Sequence, residues 1–118
     1  MIKSGARTPE ELETLLEDAF IVQDPTALGL LFEDGAVLDD GRALREVRGR
    51  ADIERAATAM WDYDRTYLAE PRCVLQTGAT ALSLGGGINV MRRGPDGAWR
   101  FAIALIGPGR LEAKKERR

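Results

Sequence analysis

Two places in this 118-residue chain set a polar side chain where an apolar one belongs. In the first, Ala36-Val37-Leu38 starts as a buried strand and then meets Asp39 and Asp40, followed by Gly41. Asp is among the residues strands use least, so either the strand ends here or a carboxylate faces a core. If the strand runs on, Ala36, Leu38 and Asp40 share one face. Desolvation there would raise the acid's pKa and suit it to take a proton next to a carbonyl. The competing reading is a turn, because Asp40-Gly41 is a familiar hairpin dipeptide whose positions tolerate positive φ. In the second place Asn89 stands among Ile88, Val90 and Met91. An amide in such company either bonds a neighbouring strand or serves as a donor in the interior.

Other chemistries are excluded by what the chain lacks. It has no histidine, which removes the commonest near-neutral acid-base group and the most frequent transition-metal ligand. No metal and no cofactor is expected. The single cysteine, Cys73, permits no intrachain disulfide and reads as a small packed residue, so a cytoplasmic location is the default. Seventeen Lys and Arg face nineteen Asp and Glu, without a basic stripe through the body of the chain, which argues against nucleic acid as a partner. No apolar run reaches the length of a membrane span, and MIKSGARTPEE lacks the hydrophobic segment of a secretory signal. A soluble protein with no membrane partner is expected. Gly85-Gly86-Gly87 has no following helix and no Lys-Ser/Thr, so it is not a phosphate loop. Arg92, Arg93 and Arg100 are read either as an anion site or, preferably, as charges protecting a sheet edge.

The elements that must hold these residues fall into a helical front and a strand-rich back. Thr8-Pro9-Glu10-Glu11 is a helix start with a capping box. Leu12, Leu15, Leu16, Ala19 and Phe20 then make one apolar face, with Glu11, Glu13, Glu17 and Asp18 expected mostly elsewhere. Asp24-Pro25 repeats the signal for a short helix carrying Leu28, Leu31 and Phe32, ending around Glu33-Asp34-Gly35. A short strand over 44–47 precedes a third helix with Ile53, Ala56, Ala57, Met60 and Trp61. Period-two patterns predict three long antiparallel strands, over 66–76, 80–92 and 98–106. The glycine triplet implies a bulge, a sharp curl or a close approach in the second of them. Alternation in the last would set Trp99, Phe101, Ile103 and Leu105 on one face, with Ala102, Ala104 and Ile106 on the other. One α+β domain over 8–107 is expected, with tails at 1–7 and 108–118.

The order of elements, with TPEELETLLEDAF, QDPTALGLLFEDGAVL, VRGRADIERA and RRGPDGAWRFAIAL, resembles the nuclear transport factor 2-like superfamily. The likeness is greatest to its small bacterial SnoaL-like and ketosteroid-isomerase-like members. It implies three N-terminal helices packed in a curved antiparallel sheet, a cone with a small apolar pocket, and a homodimer paired through outer sheet faces. In ketosteroid isomerases the base follows the first apolar strand, a position that falls on Asp40. Their protonated Asp, one of two oxyanion donors, falls on Asn89, an amide that can donate without any pKa adjustment. The second donor, a Tyr on the first helix, is replaced at or near Leu16. The Asp-Arg-Asp relay of limonene-epoxide hydrolases has no counterpart here.

Phe20, Leu38, Trp61, Tyr67 and Met91 are the candidate walls of the pocket, with plain core packing as the competing reading. Two functions follow. One is cofactor-independent proton transfer, of isomerase or cyclase type, on a hydrophobic carbonyl compound, with Asp40 and Asn89 as catalytic groups. The other is a non-catalytic module that binds a small apolar molecule or serves as a dimeric interaction domain.

Overall fold

A computed structural model describes residues 5–39, 41, 46–69 and 73–106. Helix α1 (Pro9–Val22) begins as its sequence dictates: Pro9 takes the first turn, and the Thr8 hydroxyl accepts from the Glu11 N–H at 3.0 Å. The Glu11 carboxylate reaches back one residue further than a capping box requires, accepting from the Arg7 N–H at 2.7 Å. Gln23 closes the helix in the left-handed region. Asp24 caps α2 (Pro25–Gly29) by accepting from the Ala27 N–H at 3.1 Å.

Helix α2 stops sooner than its apolar pattern suggests. Phe32, Glu33, Asp34 and Gly35 belong to β1 (Phe32–Asp39), not to a helix end, because Phe32 pairs with Phe101 and its backbone is drawn into the sheet. Then come β2 (Glu46–Arg48), α3 (Arg50–Asp62), β3 (Cys73–Thr77), β4 (Thr80–Leu84), β5 (Gly87–Arg93) and β6 (Trp99–Ile106). These form one six-stranded sheet in the order β2-β1-β6-β5-β4-β3. Every neighbouring pair is antiparallel except β1 with β6, which runs parallel, so the sheet is mixed; it does not close into a barrel. Trp99 also bridges to Ala6, so part of the expected N-terminal tail is tied to the sheet.

Three strand expectations change. Of the described residues of 66–76, those from Cys73 on are strand, while residues 65–69 have no regular structure, because Tyr67 turns inward from this stretch. The long strand over 80–92 is instead a hairpin, β4 and β5, with Gly85 and Gly86 at its tip and the Gly85 N–H bonded to the Gly87 carbonyl at 2.9 Å. The expected close approach is there too: a Cβ on Gly86 would lie 2.1 Å from the Leu68 carbonyl oxygen. In β6 the alternation breaks at a bulge opposite Val90 and Met91. Trp99 and Phe101 stay inside, but Ala104 and Ile106 follow them, while Ile103 turns outward and is 51% exposed.

The helices lie on the inner face, where Leu12, Leu16 and Phe20 of α1 and Ile53, Met60 and Trp61 of α3 join Phe32, Leu38, Met91, Phe101 and Ile106 in one buried core. The glycine at 86 is a steric requirement, so Gly86→Ala should destabilise by about 1–3 kcal/mol, the range for overpacking. Gly35→Ala, where an added Cβ meets nothing within 4 Å, should stay within ~0.5 kcal/mol. Urea unfolding midpoints of the two variants check this.

Candidate functional site

The inner sheet face carries one row that is not apolar. By register, Val74 of β3 faces Ser83 of β4, Ser83 faces Asn89 of β5, Asn89 faces Ala104 of β6, and Ala104 faces Leu38 of β1. Ser83 and Asn89 are both fully buried. Above them α1 presents Glu13, 1% exposed, on the same helical face as Leu16 and Phe20. Sequence reasoning set Glu13, with Glu11, Glu17 and Asp18, mostly off the apolar face; the structure places it in the core. Its offsets of three and seven from Leu16 and Phe20 were the available signal.

Three side chains converge on this carboxylate and on one another. The Tyr67 hydroxyl donates to one oxygen of Glu13, and the Ser83 hydroxyl donates to the other. The Asn89 amide nitrogen donates to that second oxygen at 2.8 Å and lies 3.2 Å from the Tyr67 hydroxyl and 3.5 Å from Ser83 Oγ. The groups come from α1, the 65–69 segment, β4 and β5, so tertiary folding alone assembles them. Burial pushes the Tyr67 phenol well above its ordinary range, and the charge of Glu13 and the hydrogen bond to it push the same way; Asn89 opposes and Glu17 adds slightly. Two buried polar atoms, Asn89 Oδ1 and Trp61 Nε1, have no partner among the described residues.

Among the sequence-predicted site residues, Asn89 and Tyr67 come together in this cluster. Phe20 packs between Trp61, edge-on at 5.8 Å between ring centroids, and Tyr67 at 5.9 Å. Leu38 and Met91 are fully buried in the same core. Asp40 lies outside the described residues. Beside it, the Asp39 carboxylate accepts from the Gly41 N–H at 2.8 Å, and Gly41 has φ +76°. Leu16, near the position of the missing helix tyrosine, is plain core.

Two surface features lie away from the cluster. A cleft of about 220 Å³ is lined by Glu33, Asp34, Arg50, Arg92, Gly94, Pro95 and Arg100. Its arginines are already paired, Arg92 with Glu33 through two bonds of 2.8 and 2.9 Å, Arg50 with Asp34 at 2.8 Å, and Arg100 with Asp96 at 2.9 Å. Arg93 lies over the Trp99 ring at 5.7 Å. Charge is balanced locally, which weakens any reading as an anion site. On the outer sheet face, Leu75, Leu82, Val90, Ile103 and Val37 form a single cross-strand row, beside a groove of about 370 Å³.

No helix among the described residues is long and apolar enough to cross a membrane, and no group of metal-binding side chains is found among them. No protein-family model and no curated protein matches the sequence. Solved structures do match in shape. A domain from Thiobacillus denitrificans, named as a calcium/calmodulin-dependent protein kinase type II association domain, superposes with a TM-score of 0.73 at 16% identity, covering 90% of this chain and 98% of that one. A ketosteroid isomerase-like protein from Erwinia carotovora atroseptica gives 0.66 at 18% identity, over 83% and 91%. A Streptomyces avermitilis protein named as a dehydratase of the nuclear transport factor 2-like family gives 0.63 at 19% identity, over 83% and 91%. With its helices packed on the inner face of one mixed, unclosed six-stranded sheet, the chain has the nuclear transport factor 2-like fold.

Proposed function

We propose that the chain binds a small, largely apolar carbonyl compound at the Glu13 cluster and moves a proton on it without a cofactor. The observation that carries this is a carboxylate 1% exposed, held by two hydroxyls and an amide on the inner face of the sheet. Burying an ion costs several kcal/mol, and leucine at this position would avoid that cost. A polar group kept at such expense marks a candidate working site. Glu13 takes the proton from the carbon next to the carbonyl, and the electron pair moves onto the carbonyl oxygen. Asn89 Nδ2 and the Ser83 hydroxyl donate to that oxygen, and the proton returns to carbon. The acceptor left over on Asn89 Oδ1 gives a ligand hydroxyl a place to bond.

A second reading, self-association with another copy of this chain, rests on the outer row. Leu75 is 61% exposed and Ile103 51%, and with Leu82, Leu84, Ile88 and Val90 they make a contiguous apolar surface of the kind that marks interaction sites. The two readings use opposite faces of one sheet and are compatible.

Deuterium incorporation next to the carbonyl of cyclic ketones, followed by NMR, tests the chemistry. Glu13→Gln should lower it by about 100-fold or more, the usual worth of a general base, while Asp40→Asn keeps most of it. Native-rate exchange in Glu13→Gln would exclude Glu13 as the base. The cluster also predicts a pH dependence. The folded-state pKa of Tyr67 is raised above the ~10 of an unfolded chain. The stability it contributes is therefore whole below pH ~10 and is lost as pH rises above that value. Urea midpoints should fall more steeply across this range in the native protein than in Tyr67→Phe. For self-association, Ile103→Glu should weaken assembly at least ~10-fold in sedimentation velocity, and an unchanged profile would remove this surface from consideration.

A further inference from the structure

Three members of the cluster sit on regular elements: Glu13 on α1, Ser83 on β4 and Asn89 on β5. Tyr67 alone comes from a stretch without secondary structure, residues 65–69. Arg65 is tied to α3 by its N–H to the Met60 carbonyl at 2.9 Å, but among the described residues no backbone hydrogen bond joins 66–69 to helix or sheet. Thr66 and Leu68, on either side of Tyr67, are exposed. The Tyr67 side chain, 3% exposed, anchors this stretch, with the Leu68 backbone seated closely on Gly86 and Ala69 packed against the core.

The position of that side chain resembles that of a bound molecule. Its hydroxyl donates to Glu13 while lying within bonding distance of the Asn89 amide donor. Its ring packs against Phe20, and its Cε1 would lie 3.3 Å from a Cβ placed on Gly86. We propose that Tyr67 is an internal occupant of the site, closing it as a strap, and that the molecule which displaces it is a flat phenol or enol with the same donor-and-acceptor oxygen. This rests on the reading of the Glu13 cluster as a ligand site. An enol is also the form a carbonyl compound takes once Glu13 has moved a proton. The strap thus rehearses the bound intermediate with the protein's own phenol. Because the site is competent only when the strap is out, native affinity is lowered by the fraction of time it stays in.

The test uses para-cresol, which is the tyrosine side chain cut free, and toluene, the same shape without the oxygen. Calorimetric titration of the full chain should show para-cresol binding Tyr67→Ala at least ~10-fold more tightly than native protein, and at least ~10-fold more tightly than toluene binds that variant. Equal affinity of the two compounds would overturn the proposal, since it would show a mere apolar hole. Tyr67→Phe, which keeps the ring and drops the hydroxyl, serves where the alanine variant does not fold, and it too should bind para-cresol more tightly than native protein. In the native protein, saturating para-cresol should speed hydrogen exchange at 66–69 while leaving α1 protected. Unchanged exchange there would refute displacement. Phenol binding without Glu13-dependent deuterium exchange would keep the strap and sink proton transfer; exchange that para-cresol fails to inhibit would do the reverse.

Discussion

A carboxylate in a protein interior must be given donors, and here one such demand organises the inner half of the molecule. Glu13 enters the core because it lies on the helical face that carries Leu16 and Phe20, so docking α1 on the sheet carries the acid in with it. Its two oxygens are then met by Tyr67, Ser83 and Asn89, residues 54, 70 and 76 positions away in sequence. Removing any one donor leaves a buried polar group short of a partner, at a cost of about 1–3 kcal/mol. The cluster therefore fixes how α1, the 65–69 segment and the β4–β5 hairpin sit together more tightly than apolar packing, which tolerates sliding, would do.

The glycines at the hairpin tip belong to the same arrangement. Tyr67 reaches Glu13 only if the chain before β3 passes close over the end of β4 and β5, and that passage is open because residue 86 has no side chain. A Cβ on Gly87 would likewise lie 2.6 Å from the Leu105 carbonyl oxygen and 3.4 Å from Asn89 Oδ1. The triplet is thus backbone geometry in the service of the site. Its lack of a following helix already argued against a phosphate loop.

The helices were legible because their signals are local: Thr8 and Asp24 are caps with prolines behind them, and each does what its type predicts. The antiparallel β3–β6 region and the overall likeness were legible from period-two patterns and element order. The boundaries were less so where tertiary contacts override local pattern, as at Phe32, drawn from a helical reading into β1 by its pairing with Phe101. Asn89 stood out as an amide in an apolar strand, and Tyr67 as an aromatic wall. Glu13 did not, because an acidic residue on an amphipathic helix is ordinarily solvated, and its partners lie too far along the chain for spacing to reveal them. Asp40 drew attention by following an apolar strand and lies outside the described residues; beside it the Asp39 carboxylate bonds the Gly41 N–H.

The bulge in β6 ties the two faces of the sheet to each other. With unbroken alternation, Ile103 and Leu105 would follow Trp99 and Phe101 to the inside. One extra residue reverses this, so that Ala104, not a larger side chain, stands beside Asn89 in the inner row. A small residue at that point leaves room for the Tyr67 phenol and the Glu13 carboxylate to reach the amide. The same shift sends Ile103 outward to complete the row running from Leu75 through Leu82 and Val90 to Val37. A single register slip thus makes space for polar chemistry within and builds an apolar surface without. Straightening β6 would crowd the first and erase the second, because period two leaves no way to change one face of a strand alone.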